Sequence, residues 1–275
     1  MGLTALGIAM MAVGLTAGSA SAKPLLERIR DGDTIRLGFS NGPPFAYLGE
    51  NNELLGFGNA ITLDILKKMG TTKGEAVISE WGALIPGLQA GRLDLITGGM
   101  YIKPERCRNV LFSEPFATDE DALIVPKGNP KGLHSLADIR DKGLTLVTGS
   151  GYATVKVAQD MGFADEKLMQ VAGNSEIAQA IKAGRAAGGS VNYLDGKTIV
   201  KTDPSIELAD PYTSSGPKDY AAIAFPPNEQ TAVDAFNAVL KDYLGSDEMM
   251  ALVGKYGYDK TTLPDGPTTA EICKR

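Results

Sequence analysis

The chain has 275 residues, of which 43% are hydrophobic, and its net charge is −6 at pH 7. This acidic balance argues against nucleic acid or an anionic membrane surface as partner, because both call for a basic face. The length is sufficient for one large domain or for two lobes of ordinary size.

The first 22 residues predict a secretory signal peptide. Residues 1–22 contain no charged side chain, and an apolar stretch from Leu3 to Leu15 is followed by Ala20-Ser21-Ala22, the small-x-small pattern of a cleavage site. A membrane anchor is the alternative, since about 20 apolar residues can span a bilayer. Glycine, serine and threonine dilute this stretch, so we expect cleavage and a mature protein in the periplasm.

Strand-like and helix-like runs alternate along the rest of the chain. In the first part we predict strands at 34–39, 76–79, 93–97 and 110–112, and helices at 59–69 and 84–90. A second series has strands at 122–126, 144–147, 168–171, 187–191 and 206–208, and helices at 152–161, 175–183 and 193–200. A strand at 220–225 and helices at 229–244 and 247–256 follow.

This alternation is typical of largely parallel sheets flanked by helices. It predicts an α/β protein with two lobes, with residues 23–116 and 218–260 in lobe I and residues 117–217 in lobe II. Residues 261–275 form a tail on lobe I. Because the chain crosses twice between the lobes, we expect a ligand-binding cleft between them that closes about a hinge.

Two cysteines, Cys107 and Cys273, and one histidine, His134, limit the possible chemistry. In an oxidising compartment the two cysteines predict a disulfide, which would tie the tail to the segment that carries Arg106. A cysteine nucleophile is disfavoured because it needs a histidine partner, and His134 is distant in sequence. Too few histidines and cysteines are present for a zinc site of these ligands. We expect no metal and no cofactor.

Two adjacent segments carry the main candidate binding residues. Residues 81–92 begin with Trp81, the only tryptophan of the chain, and residues 94–106 contain Tyr101 and Arg106. Aromatic faces attract diffuse cations, and a guanidinium binds a carboxylate through two parallel hydrogen bonds. The combination predicts a site for a small zwitterion. Packing of Trp81 and Tyr101 inside the lobe is the alternative, and their predicted loop positions favour binding.

The order of several motifs resembles the extracytoplasmic solute-binding proteins of polar amino acid ABC importers. The motifs are Pro43-Pro44-Phe45, Ile85-Pro86-Gly87-Leu88-Gln89-Ala90-Gly91-Arg92-Leu93-Asp94, Pro104-Glu105-Arg106 and Phe112-Ser113-Glu114-Pro115-Phe116. The resemblance implies a type II periplasmic binding protein fold, two α/β lobes joined by two hinge crossovers. It also implies a monomer that binds a small solute, delivers it to the permease subunits of an importer and catalyses no reaction.

An exported lyase or dehydratase on the same fold is the alternative to a binding protein. Such an enzyme would need a buried acid or base in the cleft. Glu80 and Glu105 are the only carboxylates near the motif.

Within that family, residues 79–107 resemble the binding proteins for ectoine and hydroxyectoine, and the two cysteines match as well. This resemblance implies an aromatic cage of Phe45, Trp81 and Tyr101 around the ring of the ligand, with Arg106 on its carboxylate. Gly42 stands where those proteins have a glutamate. An acidic partner for the cation is therefore missing unless Glu80 or another carboxylate replaces it.

In lobe II, Tyr152 and Asn192 are the candidate contacts that complete the site on closure. Tyr152 is the first residue of a predicted helix, and free N–H groups at such a helix start attract a carboxylate. The preceding Gly149-Ser150-Gly151 lacks the third glycine of a dinucleotide site. Asn192 stands where the family usually has an aspartate, so it cannot neutralise a cation. We therefore expect a ring-bearing or methylated zwitterion held by π faces, with polar amino acids or betaines as alternatives. Further candidates are Gly99, Ser150 and Tyr193, and Tyr193, at the start of a predicted helix, suits a core position as well as a further wall of the site.

Overall fold

The computed structural model describes residues 23–274, so the predicted signal peptide lies outside the described residues. No helix in this range is long and apolar enough to cross a membrane. The strands are β1 Ile35–Phe39, β2 Tyr47–Leu48, β3 Leu54–Leu55, β4 Gly74–Ile78, β5 Leu95–Tyr101, β6 Leu111–Phe112, β7 Ala117–Asp119, β8 Asp121–Pro126, β9 Leu146–Gly149, β10 Leu168–Val171, β11 Gly188–Asn192, β12 Ile206–Leu208 and β13 Asp219–Phe225. The α-helices are α1 Leu25–Arg30, α2 Phe57–Met69, α3 Leu84–Gln89, α4 Pro104–Cys107, α5 Leu136–Asp141, α6 Ala153–Asp160, α7 Asn174–Lys182, α8 Tyr193–Thr202, α9 Gln230–Tyr243, α10 Asp247–Val253 and α11 Thr269–Ile272.

The strands form one main sheet in each of two lobes, the α/β architecture that the sequence predicts. The strand order is β4-β1-β5-β13-β6 in lobe I and β10-β9-β11-β8-β12 in lobe II. The first three strands of each order are parallel. β13 and β8 run antiparallel to them. The carboxyl ends of the parallel strands therefore mark one edge of each sheet, where ligands bind in this class of fold.

Two passages of the chain between the lobes lie side by side. β7 pairs antiparallel with β13, and Asp119 lies opposite Asp219. β7 leads through Glu120 into β8 of lobe II, whereas β13 follows the segment that returns from lobe II. This pairing joins residues about 100 positions apart, which no local pattern in the sequence indicates. The sequence reasoning accordingly missed β7.

The strand predicted at 93–97 is observed as β5, Leu95–Tyr101, so it begins two residues later and ends four residues later. β5 runs to Tyr101 although Gly98 and Gly99, which weaken an isolated strand, lie within it. Pairing with β13, with Ala222 opposite Met100 and Ala221 opposite Tyr101, carries the strand through the two glycines. The expectation of a loop at Tyr101 is therefore wrong.

Apolar side chains cover both faces of the lobe I sheet. α2 and α9 pack on one face with Phe57, Ile61 and Phe236, and α3 packs on the other with Leu84 and Leu88. Each such buried side chain contributes about 1.5–3 kcal/mol relative to an exposed one. The packed helices on both faces therefore fix the positions of the strand ends that border the cleft.

Asp94, just before β5, ties α1 to the sheet and is 5% exposed. Its carboxylate accepts hydrogen bonds from Arg28 at 2.7 and 3.0 Å and from Arg36 at 2.7 and 3.1 Å. Burial alone would raise the pKa of Asp94, but these hydrogen bonds outweigh it and lower the pKa from 3.8 to about 2.

Because the folded-state pKa lies below the unfolded one, these ion pairs stabilise the protein above about pH 4 and are lost as the pH falls towards 2. We expect Asp94→Asn to lower the free energy of unfolding by about 2 kcal/mol at pH 7 and by much less near pH 2. Urea denaturation at both pH values measures this. Asp160→Asn, which removes an exposed pair with Lys156, is the control, and equal losses for Asp94→Asn at both pH values would contradict the assignment.

Candidate functional site

A cavity lies between the lobes, at the carboxyl ends of the central strands. Its empty volume, including the part open to solvent, is about 660 Å³. Ser40 follows β1, Tyr101 ends β5, Tyr152 follows β9 and Asn192 ends β11, and all four line the cavity. The structure also brings together here the six residues predicted first: Phe45, Trp81, Tyr101, Arg106, Tyr152 and Asn192.

Phe45 borders the cavity because Gly99 leaves room for its ring. Phe45 is 3% exposed and packs against Phe57 with ring centroids 4.6 Å apart. Gly99 has a φ of 76°, and a Cβ atom there would lie 2.1 Å from Cδ1 of Phe45. Gly99 therefore lines the cavity and also determines the position of Phe45.

Trp81 and Tyr152 contact each other across the cleft. Trp81 starts a single 3₁₀ turn in lobe I, Trp81–Ala83, and Tyr152 is the N-cap of α6 in lobe II. Their ring centroids are 5.8 Å apart in an edge-to-face arrangement with an interplanar angle of 76°. This geometry is favourable for aromatic pairs, so the two rings stabilise the approach of the lobes.

Tyr101 forms another wall of the cavity. It is 6% exposed, and its hydroxyl donates a hydrogen bond to Oδ2 of Asp119 at 3.3 Å. Burial and the nearby carboxylate of Asp119 raise the pKa of Tyr101 well above its usual value. The phenol stays protonated and presents its ring to the cavity.

Arg106, on the short helix α4, is 9% exposed. Its Nη1 donates to the carbonyl oxygen of Tyr101 at 3.0 Å, and its Nη2 donates to the carbonyl oxygen of Gly151 at 3.0 Å. Burial lowers the pKa of Arg106, but a guanidinium remains charged in proteins and carries five N–H donors. Donors thus remain for a ligand carboxylate.

The hydrogen bond from Arg106 to Gly151 joins lobe I to lobe II, so the structure shows the closed cleft. Gly151 has a φ of 76°, and a Cβ atom there would lie 2.9 Å from Cα of Gly82 in lobe I. A side chain at this position would hold the lobes apart. Gly151 is therefore required for this degree of closure.

Three aspartates that sequence reasoning missed also line the cavity: Asp121, Asp195 and Asp219. Asp121 accepts hydrogen bonds from Tyr212 and Ser215, each at 2.6 Å. Asp219 pairs with Lys103 at 2.5 Å. Within the described residues, Oδ1 of Asp195 is buried without a hydrogen-bond partner.

Asp195 is 6% exposed and lies on the first turn of α8. Burial raises the pKa of Asp195 to about 7, and the neighbouring polar side chain of Asn174 opposes this shift. The spacing could have revealed this residue, because Asp195 is three positions after Asn192 at a predicted helix start, and residues three apart share a helix face. The cavity contains a carboxylate where we expected aromatic rings alone to face the cation.

The remaining candidates lie outside this cavity. Glu80 and Ser150 are exposed, and Glu80 lines a wider groove on the outer side of the cleft. The ring of Tyr193 is 45% exposed, with Nζ of Lys197 5.5 Å from its centroid. Tyr193 does not line the cavity and, being exposed, is not part of the core. Glu80 likewise supplies no acid inside the closed cavity.

The predicted disulfide between Cys107 and Cys273 is present. It joins the end of α4 to the residue that follows α11, next to Arg106. Within residues 23–274, no three histidine, cysteine, aspartate or glutamate side chains form a group that could hold a metal ion.

The fold and the cleft define a two-lobed solute-binding receptor of the type II periplasmic class. Residues 35–259 match the bacterial extracellular solute-binding proteins, family 3. This match spans most of the chain, and the chain belongs to that family.

Relatives of known class agree with this assignment. The chain is 30% identical to a probable amino-acid ABC transporter periplasmic-binding protein, y4tE, of Sinorhizobium fredii, over 90% of this chain and 85% of the relative. It is 25% identical to the arginine-binding extracellular protein ArtP of Bacillus subtilis, over 78% of this chain and 81% of ArtP. The crystal structure of EhuB in complex with hydroxyectoine is similar with a TM-score of 0.82 and 30% identity, over 90% of this chain and 97% of EhuB.

These relatives are receptors and not enzymes. The chain is accordingly a solute-binding protein of an amino-acid-type ABC importer, a class that binds small amino-acid-like solutes and works with membrane permease subunits.

Proposed function

We propose that this protein captures a small cyclic zwitterion of the ectoine or hydroxyectoine type in the periplasm and presents it to the permease of its importer. It reaches the periplasm through the predicted signal peptide and acts as a monomer. The observation that carries the proposal is one closed cavity lined by a buried arginine and four aromatic rings, those of Phe45, Trp81, Tyr101 and Tyr152.

The two kinds of side chain suit the two ends of such a solute. Arg106 holds the carboxylate through charge-assisted hydrogen bonds, which contribute about 1.5–3 kcal/mol each in a buried setting. The aromatic faces replace water around the delocalised amidinium, at about 0.5–2 kcal/mol per ring. The likeness to EhuB, whose structure holds hydroxyectoine, supports the same choice of ligand.

Closure follows from contacts on both lobes. Arg106 and Trp81 belong to lobe I, and Gly151 and Tyr152, which they contact, belong to lobe II. A solute shifts an open-closed equilibrium only by binding one state better than the other. A zwitterion between these residues binds the closed state better, and the closed form is the one that the permease recognises.

A cationic amino acid such as arginine is the second candidate ligand. Three aspartates line the cavity, and ArtP is an arginine-binding relative. Two of these carboxylates, Asp121 and Asp219, already have partners in the protein. This leaves one acidic group for a solute that also carries a carboxylate, which favours a zwitterion of no net charge.

Thermal unfolding with a panel of solutes tests the proposal. We expect ectoine or hydroxyectoine to raise the melting temperature more than proline betaine, arginine or glutamine at equal concentration. A ligand at 100 times its Kd stabilises the folded state by about 2.7 kcal/mol, a gain that the melting temperature reports. NMR of the solute after incubation should show it unchanged, as a binding protein requires. A shift with arginine alone would overturn the choice of ligand.

A further inference from the structure

Asp195 differs from the other carboxylates of the cavity in what surrounds it. Asp121 is held by hydroxyl groups and Asp219 by Lys103. Asp195 forms no ion pair within the described residues, and its Oδ1 has no hydrogen-bond donor there. A buried ionised carboxylate without a partner is strongly unfavourable. A positive group of a solute placed beside Oδ1 would remove this cost.

A chain of contacts along the cavity wall connects Asp195 to Arg106. Asn174 lines the cavity together with Asp195, and its Oδ1 accepts a hydrogen bond from the hydroxyl of Tyr152 at 3.2 Å. The Tyr152 ring contacts Trp81, and the Trp81 ring centroid lies 6.0 Å from Cζ of Arg106. A solute lying against these rings thus meets a positive group at one end of the wall and a negative group at the other.

We propose that Asp195 accepts hydrogen bonds from the cationic end of the solute, so that the site selects zwitterions whose cation carries N–H groups over zwitterions whose nitrogen is fully alkylated. This inference rests on the proposed function and specifies its ligand class. Aromatic faces bind both kinds of cation. A carboxylate oxygen with a free lone pair distinguishes them, because only an amidinium or an ammonium offers it a donor.

Ionisation of Asp195 is coupled to this binding. Burial raises its pKa to about 7, and a cation bound beside it favours the ionised form. The affinity therefore increases as the pH rises through 7 and decreases below it, and the total decrease equals the preference of the bound cation for the ionised carboxylate. The charged and titratable groups around Asp195 are Asp119, Tyr101 and Tyr152 beside it, and Arg106, Asp121 and Asp219 across the cavity.

Asp119 could also make the affinity depend on pH, because burial raises its pKa to about 7 as well. It accepts hydrogen bonds from the Tyr101 hydroxyl and from the backbone N–H groups of Glu120 and Leu194. An Asp195→Asn variant retains Asp119. Any pH dependence of affinity that disappears in this variant belongs to Asp195, and any that survives belongs to Asp119 or to Asp219, whose pKa burial also raises.

Calorimetry with ectoine and with proline betaine at pH 8 tests the proposal on wild type, Asp195→Asn and Asp121→Asn. Asp195→Asn should weaken ectoine binding roughly tenfold or more, the effect of losing a hydrogen bond to a charged group, and weaken betaine binding much less. Asp121→Asn should leave the ratio of the two affinities as in wild type. The proposal would be overturned if the ratio of ectoine affinity to betaine affinity in Asp195→Asn equalled that of wild type. It would also be overturned if the ectoine affinity of Asp195→Asn depended on pH as that of wild type does.

Failure of the proposed function gives a different result. If wild type binds arginine and neither zwitterion, the ligand assignment fails, and the pH dependence of arginine affinity in wild type and Asp195→Asn decides the role of Asp195.

Thermal unfolding without ligand tests the burial of an unpaired carboxylate independently of the solute. Asp195→Asn should raise the melting temperature of the empty protein more at pH 8, where wild-type Asp195 is ionised, than at pH 5. An equal change at both pH values would also count against an unpaired buried carboxylate.

Discussion

Replacing Arg106 with alanine is expected to weaken binding of the zwitterionic solute by roughly 100-fold or more, because losing one partner of a buried charge pair costs about 2–5 kcal/mol. The side chain is 9% exposed, so water does not replace the lost donors in the closed cleft. The variant also loses the hydrogen bond to Gly151 that joins the lobes. Calorimetry with ectoine, or with the solute that stabilises wild type most, measures the change.

Arg106→Lys and Arg108→Ala are the matched variants. Lysine keeps the charge but lacks the planar fork that reaches the Tyr101 and Gly151 carbonyls together with a carboxylate. We therefore expect Arg106→Lys to bind more weakly than wild type and more tightly than Arg106→Ala. Arg108 follows α4 and is exposed, so Arg108→Ala should bind as wild type does. If Arg106→Ala binds within threefold of wild type, Arg106 is not the carboxylate anchor.

Local periodicity predicted most helices and strands, because burial of one helix face or of a strand leaves a pattern within a few residues. The predicted strand 168–171 and the predicted helix 229–244, observed as β10 and α9, illustrate this. Local periodicity did not predict the strands whose extent depends on pairing with a distant segment. β5 reaches Tyr101 and β7 forms at all because both pair with β13.

Some residues of the candidate site could likewise be recognised from local sequence, and others depend on distant parts of the chain. Trp81, Tyr101 and Arg106 lie within one continuous segment of sequence, so the motif that it forms was visible without a structure. Asp195 was missed although it lies three positions after Asn192, since a lone aspartate in a helix is usually solvated and the packing of α8 against the cleft is what buries it. Tyr193 shows the converse, because an aromatic residue at a helix start suited either a wall of the site or a core position, and the structure exposes it.

Removing the disulfide with Cys107→Ser and Cys273→Ser together is expected to lower the free energy of unfolding substantially. The bond connects residues 166 positions apart, and in the chain-entropy model a loop of this length contributes about 5 kcal/mol by restricting the unfolded chain. Urea denaturation of the double variant and of wild type, without reductant, measures the difference. Wild type with its disulfide reduced should unfold at the midpoint of the double variant.

The same double variant separates stability from binding. α4 contains four residues, Pro104–Cys107, and the disulfide fixes its last residue, next to Arg106. Arg106 itself is held by the Tyr101 carbonyl within lobe I, so the guanidinium keeps one anchor when the disulfide is absent. We therefore expect the double variant to lose much more stability than affinity when binding is measured well below its unfolding temperature. A loss of affinity as large as that of Arg106→Ala would mean that the disulfide, and not the packing of α4, holds the arginine in the cleft.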